Sequence, residues 1–224
     1  MISDNYIFNI VIKFLLCYYN DVKYLILERH KIIMKLSELL ELVSGTPQFR
    51  IVEVSNPKAP VFTYYTQTDL NDDLVGIISS NVDNKQVRTN DKVSTLSSGD
   101  VLFSLITGKA TIVGKEHEGY LYTQNYVKLL HGEKIDSKFL VYLMNESKAI
   151  RKQLMLGLQG SLVLKYTLTQ LRDLEIKKIP SIDKQKIIGQ VYFNQLRLKA
   201  LRNRVAELES KIKLAELEEV SKIE

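Results

Sequence analysis

Apolar residues recur along the chain at two different spacings, which predict a mixed head followed by a helical arm. Short runs rich in β-branched and aromatic residues, each bounded by turn formers, indicate strands of a partly antiparallel sheet at residues 49–54, 61–66, 75–79, 101–106, 111–113 and 120–130. Before them, Leu36, Leu39, Leu40 and Val43 recur at helical spacing, and Ser44-Gly45-Thr46-Pro47 ends that predicted helix.

A second helix is predicted after the last strand. Phe139, Leu143, Ile150 and Leu154 share one helical face, with Leu140 and Met144 beside them, and Asp136 or Ser137 can cap its first turn. This amphipathic helix is expected to cover one face of the sheet. The fold class is therefore predicted as α+β, with a mixed α/β head over residues 34–182.

From residue 187 the apolar positions alternate at four-residue and three-residue intervals, which is the seam of a coiled coil. The seam consists of Ile187, Val191, Asn194, Leu198, Leu201, Val205, Leu208, Ile212 and Ala215. A helix of this length would overshoot a head of this size. Residues 183–224 are therefore predicted to form a coiled-coil dimerisation and spacer helix, with Asp183 or Ser181 as its cap.

Charge along this arm is distributed unevenly. Between Lys184 and Ala206 there are six basic residues and no acidic residue, whereas from Glu207 to Glu224 six acidic residues face three lysines. Two parallel copies would place like charges side by side, while an antiparallel pair would lay each basic half against an acidic half. We therefore predict an antiparallel homodimer in which the apolar seam supplies the affinity.

Composition adds little to this division but narrows the class of protein. The 224 residues carry a net charge of +5 and an isoelectric point near 9.0, which suits a polyanionic partner only where the basic residues cluster. The single cysteine, Cys17, cannot form a disulfide within the chain, so a cytoplasmic protein is expected.

The first 33 residues leave two interpretations open. The apolar run 7–19 is interrupted by Lys13 and is shorter than the roughly 20 residues of a membrane span. Asp4 near the start also disfavours a secretory signal. Because Met34 opens an amphipathic segment that suits the start of a domain, residues 1–33 are either a translated leader or an N-terminal extension that packs on the head.

Motifs for catalysis are weak throughout the sequence. The four prolines are never adjacent, which excludes the Pro-Pro-aromatic loop of an amino-methyltransferase, and Gly157-Leu-Gln-Gly160 lacks the spacing and lysine of a phosphate-binding loop. Glu146-Ser-Lys148 and Glu209-Ser-Lys211 fit a loose nuclease pattern but have no aspartate partner upstream. They are interpreted as solvated helix charges, and no metal site is predicted.

Basic and amide side chains on predicted loops are the candidates for a DNA surface. Lysines and arginines can follow phosphates, whereas amide and hydroxyl groups can read base edges. The candidates are Lys85, Arg88, Lys92, Lys109, Lys115, Gln124, Asn125, Gln159 and Ser161. The alternative interpretation, favoured by spacing alone, is a solubilising surface of turn-forming residues.

A series of short motifs, each weak alone, resembles the specificity (S) subunits of type I restriction-modification systems in its order. The segments are 35–45 (KLSELLELVSG), 99–104 (GDVLFS), 123–125 (TQN), 160–161 (GS), 171–176 (LRDLEI) and 179–187 (IPSIDKQKI), the last leading into the long helix. The resemblance covers residues 34 to 224. Members of the family commonly carry two recognition domains and two helices, whereas this chain has one of each, so it resembles a half-length form.

The resemblance implies a non-catalytic subunit whose target-recognition domain reads double-stranded DNA. It further implies a homodimer that holds two heads apart over a bipartite site, together with a methyltransferase subunit that would bring S-adenosylmethionine, and a restriction subunit in some systems. The chain itself would need no cofactor. The alternative from another class is a coiled-coil protein-interaction module, including a remnant of such a system that no longer binds DNA.

Overall fold

A computed structural model describes residues 34–79, 83–158, 165–177 and 179–222 of the chain. The strands are β1 Met34–Lys35, β2 Leu40–Ser44, β3 Val61–Thr63, β4 Gln86–Arg88, β5 Val101–Ser104, β6 Ala110–Ile112, β7 Tyr126–His131 and β8 Glu175–Ile176. The helices are α1 Leu36–Leu39, α2 Gln67–Val75, α3 Ser137–Glu146, α4 Lys148–Leu156, α5 Leu168–Arg172 and α6 Ile182–Ser221, with 3₁₀ turns at Gln48–Arg50 and Lys115–His117. The α+β class and the long C-terminal helix are thus confirmed.

The head is built on a four-stranded antiparallel sheet with the order β2-β7-β5-β6. Its register places Ser44, Ser104, Ala110 and Tyr126 at one end of the strands, called here the Ser104 end. Leu40, Val101, Ile112 and His131 lie at the other end, called the Val101 end. This division matters because the connections at the two ends carry different kinds of side chains.

Two smaller sheets complete the head. Strands β3 and β4 pair with each other, and a bridge between Tyr64 and Leu121 joins them to the chain that leads into β7. Strand β1 pairs with β8, which brings the start of the described chain beside the segment that enters the arm. The two ends of the head are thereby fastened together.

Helices α3 and α4 cover the main core. Phe103, Val127 and Leu129 of the sheet pack with Leu140 and Met144 of α3, and all five side chains are buried. Of the two predicted caps, Asp136 is the one that caps α3, because its carboxylate accepts a 2.9 Å bond from the Phe139 amide. The single predicted helix is two helices, since the backbone at Ser147 is extended and its side chain caps α4.

The arm α6 begins on the head and then leaves it. Gln185 is buried, and its amide bonds the carbonyl groups of Lys134 and Pro180. One turn later, Gly189 lies so close to α3 that a Cβ atom there would meet the Phe139 amide nitrogen at 2.6 Å. From residue 201 to residue 222 every side chain is exposed. Only the first half of the arm is therefore supported by the head.

Several local predictions are wrong, each for a physical reason. The helix predicted over Leu36 to Val43 ends at Leu39, because Leu40 and Leu42 alternate with polar positions and pair with β7 instead. Residues 49–54 form no strand, since Phe49 and Val52 point into solvent rather than into a core.

Two further predicted strands are also wrong in their placement. Val75 is the last residue of α2, Gly76 adopts a left-handed φ of 67° that stops the helix, and residues 77–79 form no strand. The strand predicted over residues 120–130 begins only at Tyr126, because Thr123, Gln124 and Asn125 form a turn. Helix α2, which was not predicted, begins with a reciprocal cap between Thr66 and Asp69.

Candidate nucleic-acid interface

Three of the predicted DNA-binding residues meet at the Ser104 end of the central sheet. Lys109 lies in the turn between β5 and β6, while Gln124 and Asn125 lie in the turn before β7. The two turns are joined by a 2.8 Å bond from the Leu105 amide to the Asn125 carbonyl. Lys109 and Gln124 are exposed, so an amide and a cation that are separate in sequence share one accessible surface.

Lys165 belongs to the same surface and was missed in the sequence. Its ammonium group donates a 2.7 Å hydrogen bond to the Asn125 side-chain oxygen. This bond fixes the orientation of the Asn125 amide and leaves its side-chain nitrogen as the donor for other contacts. The only signal in the sequence is the position of Lys165 after the 160–161 motif, which gives no indication that it meets a turn 40 residues earlier.

A second polar group lies on the small β3–β4 sheet. Lys85 is exposed, with its ammonium group 5.9 Å from the centre of the Tyr64 ring, and Lys92 is exposed in the loop that follows β4. Arg88 is different, because its guanidinium donates to the carbonyl groups of Pro57 at 2.7 Å and Ala59 at 3.0 Å. Arg88 therefore holds a loop in place, and its role towards DNA stays a prediction.

Of the remaining three candidates, the structure describes only Lys115. Lys115 starts the 3₁₀ turn that follows β6, so it lies at the Val101 end of the sheet, although it is exposed. Gln159 and Ser161 lie outside the described residues, as do residues 1–33. Of the seven candidates that the structure describes, Lys109, Gln124 and Asn125 share one surface, whereas Lys85, Arg88, Lys92 and Lys115 lie elsewhere on the head.

The most strongly polar cluster of the head is buried rather than accessible. The imidazole of His117 lies between two carboxylates of α2, with Nδ1 at 2.8 Å from Asp73 and Nε2 at 3.3 Å from Asp69. Tyr65 donates a 2.7 Å bond to the other oxygen of Asp73, and Asn84 donates to Asp69. A ring with both nitrogens facing carboxylates is a charged imidazolium.

The pKa values of the cluster agree with this geometry. Burial alone would lower the pKa of His117, but its bonds to Asp69 and Asp73 outweigh burial and raise the pKa to about 9. Burial likewise opposes the ionised form of Asp69, yet the bonds from His117, Asn84 and Thr66 hold its pKa below the ordinary value. The ion triad is closed to solvent, so it stabilises the head and offers no base to a substrate.

The loose nuclease motifs do not gain a partner in the structure. Glu146 accepts a 3.1 Å bond from the Tyr192 hydroxyl, and Glu209 is exposed on the arm. Across residues 34–79, 83–158, 165–177 and 179–222, no group of three or more His, Cys, Asp or Glu side chains has a spacing that would hold a metal ion.

The predicted dimerisation seam lies on the free face of the arm. Exposed fractions run from 41% at Leu198 to 64% at Ile187, and Val191, Leu201, Val205, Leu208 and Ile212 fall between them. A different face of the same helix, which includes Ile188, Tyr192 and Leu196, packs against the head. One apolar face of the arm therefore packs on the head, and a second apolar face is exposed.

The head and arm together match known structures. The chain aligns with the HsdS subunit from Thermoanaerobacter tengcongensis at 14% identity and a TM-score of 0.52, covering 83% of this chain and 42% of that one. It aligns at 17% identity and a TM-score of 0.57 with a chain from a structure of type I R-M system assembly and conformational transition, covering 82% of this chain and 46% of that one. The fold is that of an HsdS subunit.

Sequence comparison alone does not reach this result. No protein-family model matches the chain, and no curated protein sequence matches it. The chain spans less than half the length of the two HsdS-type structures. In the part of the chain that the structure describes, no helix combines the length and apolarity needed to cross a bilayer.

Proposed function

We propose that this chain acts as a DNA-recognition subunit of a type I restriction-modification complex. The observation that carries the proposal is the HsdS fold of the head and arm together. The exposed turns at the Ser104 end, with Lys109, Gln124 and Asn125, supply the side chains that such a role needs. Amide groups can pair with base edges, while the lysine follows phosphates.

The chain is proposed to act without chemistry of its own. A partner methyltransferase would bring S-adenosylmethionine and transfer the methyl group, and a restriction subunit would join in some assemblies. The head would select the site at which the partner acts. A gene beside this one is expected to encode a methyltransferase with an acidic-or-Asn-Pro-Pro-aromatic loop.

Dimerisation through antiparallel arms is the second element of the proposal. The seam from Ile187 to Ile212 is exposed in the single chain, and covering such a surface releases water from each of its apolar side chains. The basic first half and acidic second half of α6 favour the antiparallel arrangement. Two heads would then face two halves of an inverted-repeat site.

Mapping of DNA modification tests the recognition role directly. Genomic DNA from cells with and without this gene, both carrying the neighbouring methyltransferase gene, is sequenced for methylated bases. We expect one bipartite, inverted-repeat motif to be methylated only when the gene is present. An identical methylation pattern in the two strains would contradict the proposal and favour a protein-interaction role.

The seam is tested with two matched pairs of aspartate substitutions. Leu201→Asp with Leu208→Asp places charges within the seam. We expect this variant to be a monomer by analytical ultracentrifugation, with the stability of the head unchanged in thermal unfolding. Asn203→Asp with Ser210→Asp adds the same charge on the opposite face of the helix and should leave the dimer intact. A dimeric Leu201→Asp, Leu208→Asp variant would show that the seam is assigned to the wrong face.

A further inference from the structure

A pocket of about 530 Å³ lies where the arm leaves the head. It is called here the junction pocket, and it is bounded by the β5–β6 turn, the end of α3, α4, Tyr166 and the arm. Its charged lining comes from separate elements: Lys109 from the turn, Arg151 from α4 and Lys199 from the arm. Cations from three elements converge here although they are far apart in sequence.

Negative charge does not balance these cations. Glu146 is the one acidic residue of the lining, and its carboxylate accepts the bond from Tyr192. Within the described residues, no carboxylate lies within 4.0 Å of the charged nitrogens of Lys109, Arg151 or Lys199. A concave site with three cations and one carboxylate attracts an anion.

Three of the four neutral polar side chains of the lining are already bonded within the protein. The Asn145 amide bonds both the nitrogen of Ala110 at 2.7 Å and its carbonyl at 2.9 Å. Thr107 donates to Gln67 at 3.3 Å, and the Tyr192 hydroxyl donates to Glu146. The donors that remain are the three cationic groups and the Tyr166 hydroxyl. This set suits recognition of a phosphate, mainly by charge, rather than recognition of a base by its edge.

The junction pocket is continuous with the surface at the Ser104 end. The Tyr166 amide donates to the Leu105 carbonyl at 2.8 Å, and the Leu105 amide donates to the Asn125 carbonyl at 2.8 Å. Lys165, which holds the Asn125 side chain, is the neighbour of Tyr166 in the chain. A DNA strand that passes over Asn125 towards the arm therefore meets the pocket next.

We propose that the junction pocket binds a phosphate group of the DNA backbone through Lys109, Arg151 and Lys199, an inference that rests on the proposed function. Because Lys199 belongs to the arm and the other two cations belong to the head, the bound phosphate links the two parts. DNA binding would thereby fix the angle between head and arm, which sets the separation of two heads in a dimer. The pocket contributes affinity and geometry, and no base preference.

The test uses the full chain in its complex and two charge-matched variants. Arg151→Gln with Lys199→Gln empties the pocket of two cations, whereas Lys148→Gln with Lys211→Gln removes two exposed cations from the same two helices outside it. Binding is measured at several salt concentrations on a duplex with the methylated motif and on one without it. Thermal unfolding checks that both variants fold. If the double variant of the pocket does not fold, Lys199→Gln alone is measured instead.

The expected result is a change in salt dependence. The slope of log K against log salt concentration should become shallower by about 0.9 for the pocket variant, because one phosphate contact is lost, with equal losses of affinity on both duplexes. The control should keep the wild-type slope. A pocket variant with the wild-type slope, or one no different from the control, overturns the inference while leaving the proposed function intact. Failure of the wild-type complex to bind DNA would instead overturn the proposed function itself.

Discussion

The two ends of the central sheet carry polar side chains in opposite states. At the Val101 end, His117 is buried between Asp69 and Asp73, and Lys128 pairs with Asp100 at 2.6 Å with both side chains mostly covered. At the Ser104 end, Lys109 and Gln124 project from turns into solvent. Lysine occurs at both ends, and it forms a mostly covered ion pair at the Val101 end but is accessible at the Ser104 end.

This difference teaches where a functional surface is to be sought in a head of this kind. A buried charged group is stabilised by its protein partners instead of by water. Breaking these contacts to bind a ligand would cost much of the protein's free energy of unfolding. A charged group on an exposed turn can bind a ligand with little change in the stability of the fold. The strongest polar cluster is therefore structural, and the weaker one at the Ser104 end is the candidate for recognition.

Substitution of His117 should have the largest effect on stability. His117→Leu leaves the two α2 carboxylates buried without a counter-charge, and we expect the free energy of unfolding to fall by about 3–5 kcal/mol in urea titrations. His131→Leu is the control, since His131 is only half-buried, and its Nε2 has one bond at 2.8 Å to Ser137.

The reason for this loss can be checked by removing the carboxylates as well. Asp69→Asn with Asp73→Asn, added to His117→Leu, removes the unpaired charges and should recover part of the lost stability. A loss of under about 1 kcal/mol in His117→Leu, far below the cost of an unpaired buried charge, would show that the triad is not the main support of this end of the sheet.

Raising the pH should have a smaller effect on the free energy of unfolding, because it removes the charge of His117 but leaves the packing of its ring. The folded pKa of His117 is raised to about 9 from an ordinary 6.5, so its stabilisation is fully present below pH 6.5 and is lost as pH rises through 9. The pKa of Asp69 is lowered, so its stabilisation is present above about pH 4 and is lost in stronger acid. Urea midpoints at pH 6 and pH 9.5 should differ in the wild type and in His131→Leu, but not in His117→Leu.

Sequence patterns predicted the parts of the molecule in which one period dominates. The long helix of the arm was predicted because it repeats its spacing signal many times, and the Asp136 cap was one of the two predicted from residue type. The helix predicted over Leu36 to Val43 was wrong in its second half because the leucines fit both a helix and a strand. Pairing with β7 selects the strand there. Helix α2 was missed because only a few apolar residues mark it, and its buried aspartates resemble a turn.

The candidate surface was predictable by residue type and not by grouping. Lys109, Gln124 and Asn125 were named from their loops, and the register of β5 with β7 brings those loops together. Lys165 and the junction pocket depend on contacts over long sequence separations, for which a single sequence has no signal. Charge clustering in space, which identifies a nucleic-acid surface, becomes visible only in the fold.

At the Ser104 end, the bond between Lys165 and Asn125 should matter for binding more than for folding. Lys165→Met removes a charge-assisted bond of 2.7 Å on a partly exposed surface, and we expect about 1 kcal/mol of stability to be lost. Affinity for DNA should fall on duplexes with and without the motif. Lys177→Met, at an exposed lysine that follows β8, is the control and should change neither quantity. Equal DNA affinity of Lys165→Met and the wild type would remove Lys165 from the proposed surface.

The smallest effect on stability, and the most informative effect on specificity, is expected at Gln124. Its side chain is exposed in the turn before β7, so Gln124→Ala should change the free energy of unfolding by less than about 0.5 kcal/mol. A glutamine that pairs with an adenine edge contributes about 1–3 kcal/mol of discrimination between bases. Modification mapping with the variant should therefore show a relaxed base at one position in each half of the site. Gln195→Ala, an exposed glutamine on the arm, should leave the motif unchanged. An unchanged motif in Gln124→Ala would assign base reading to other residues of the head. A relaxed motif in a fully stable protein would show that recognition lies at the accessible Ser104 end of the sheet and not at the buried Val101 end.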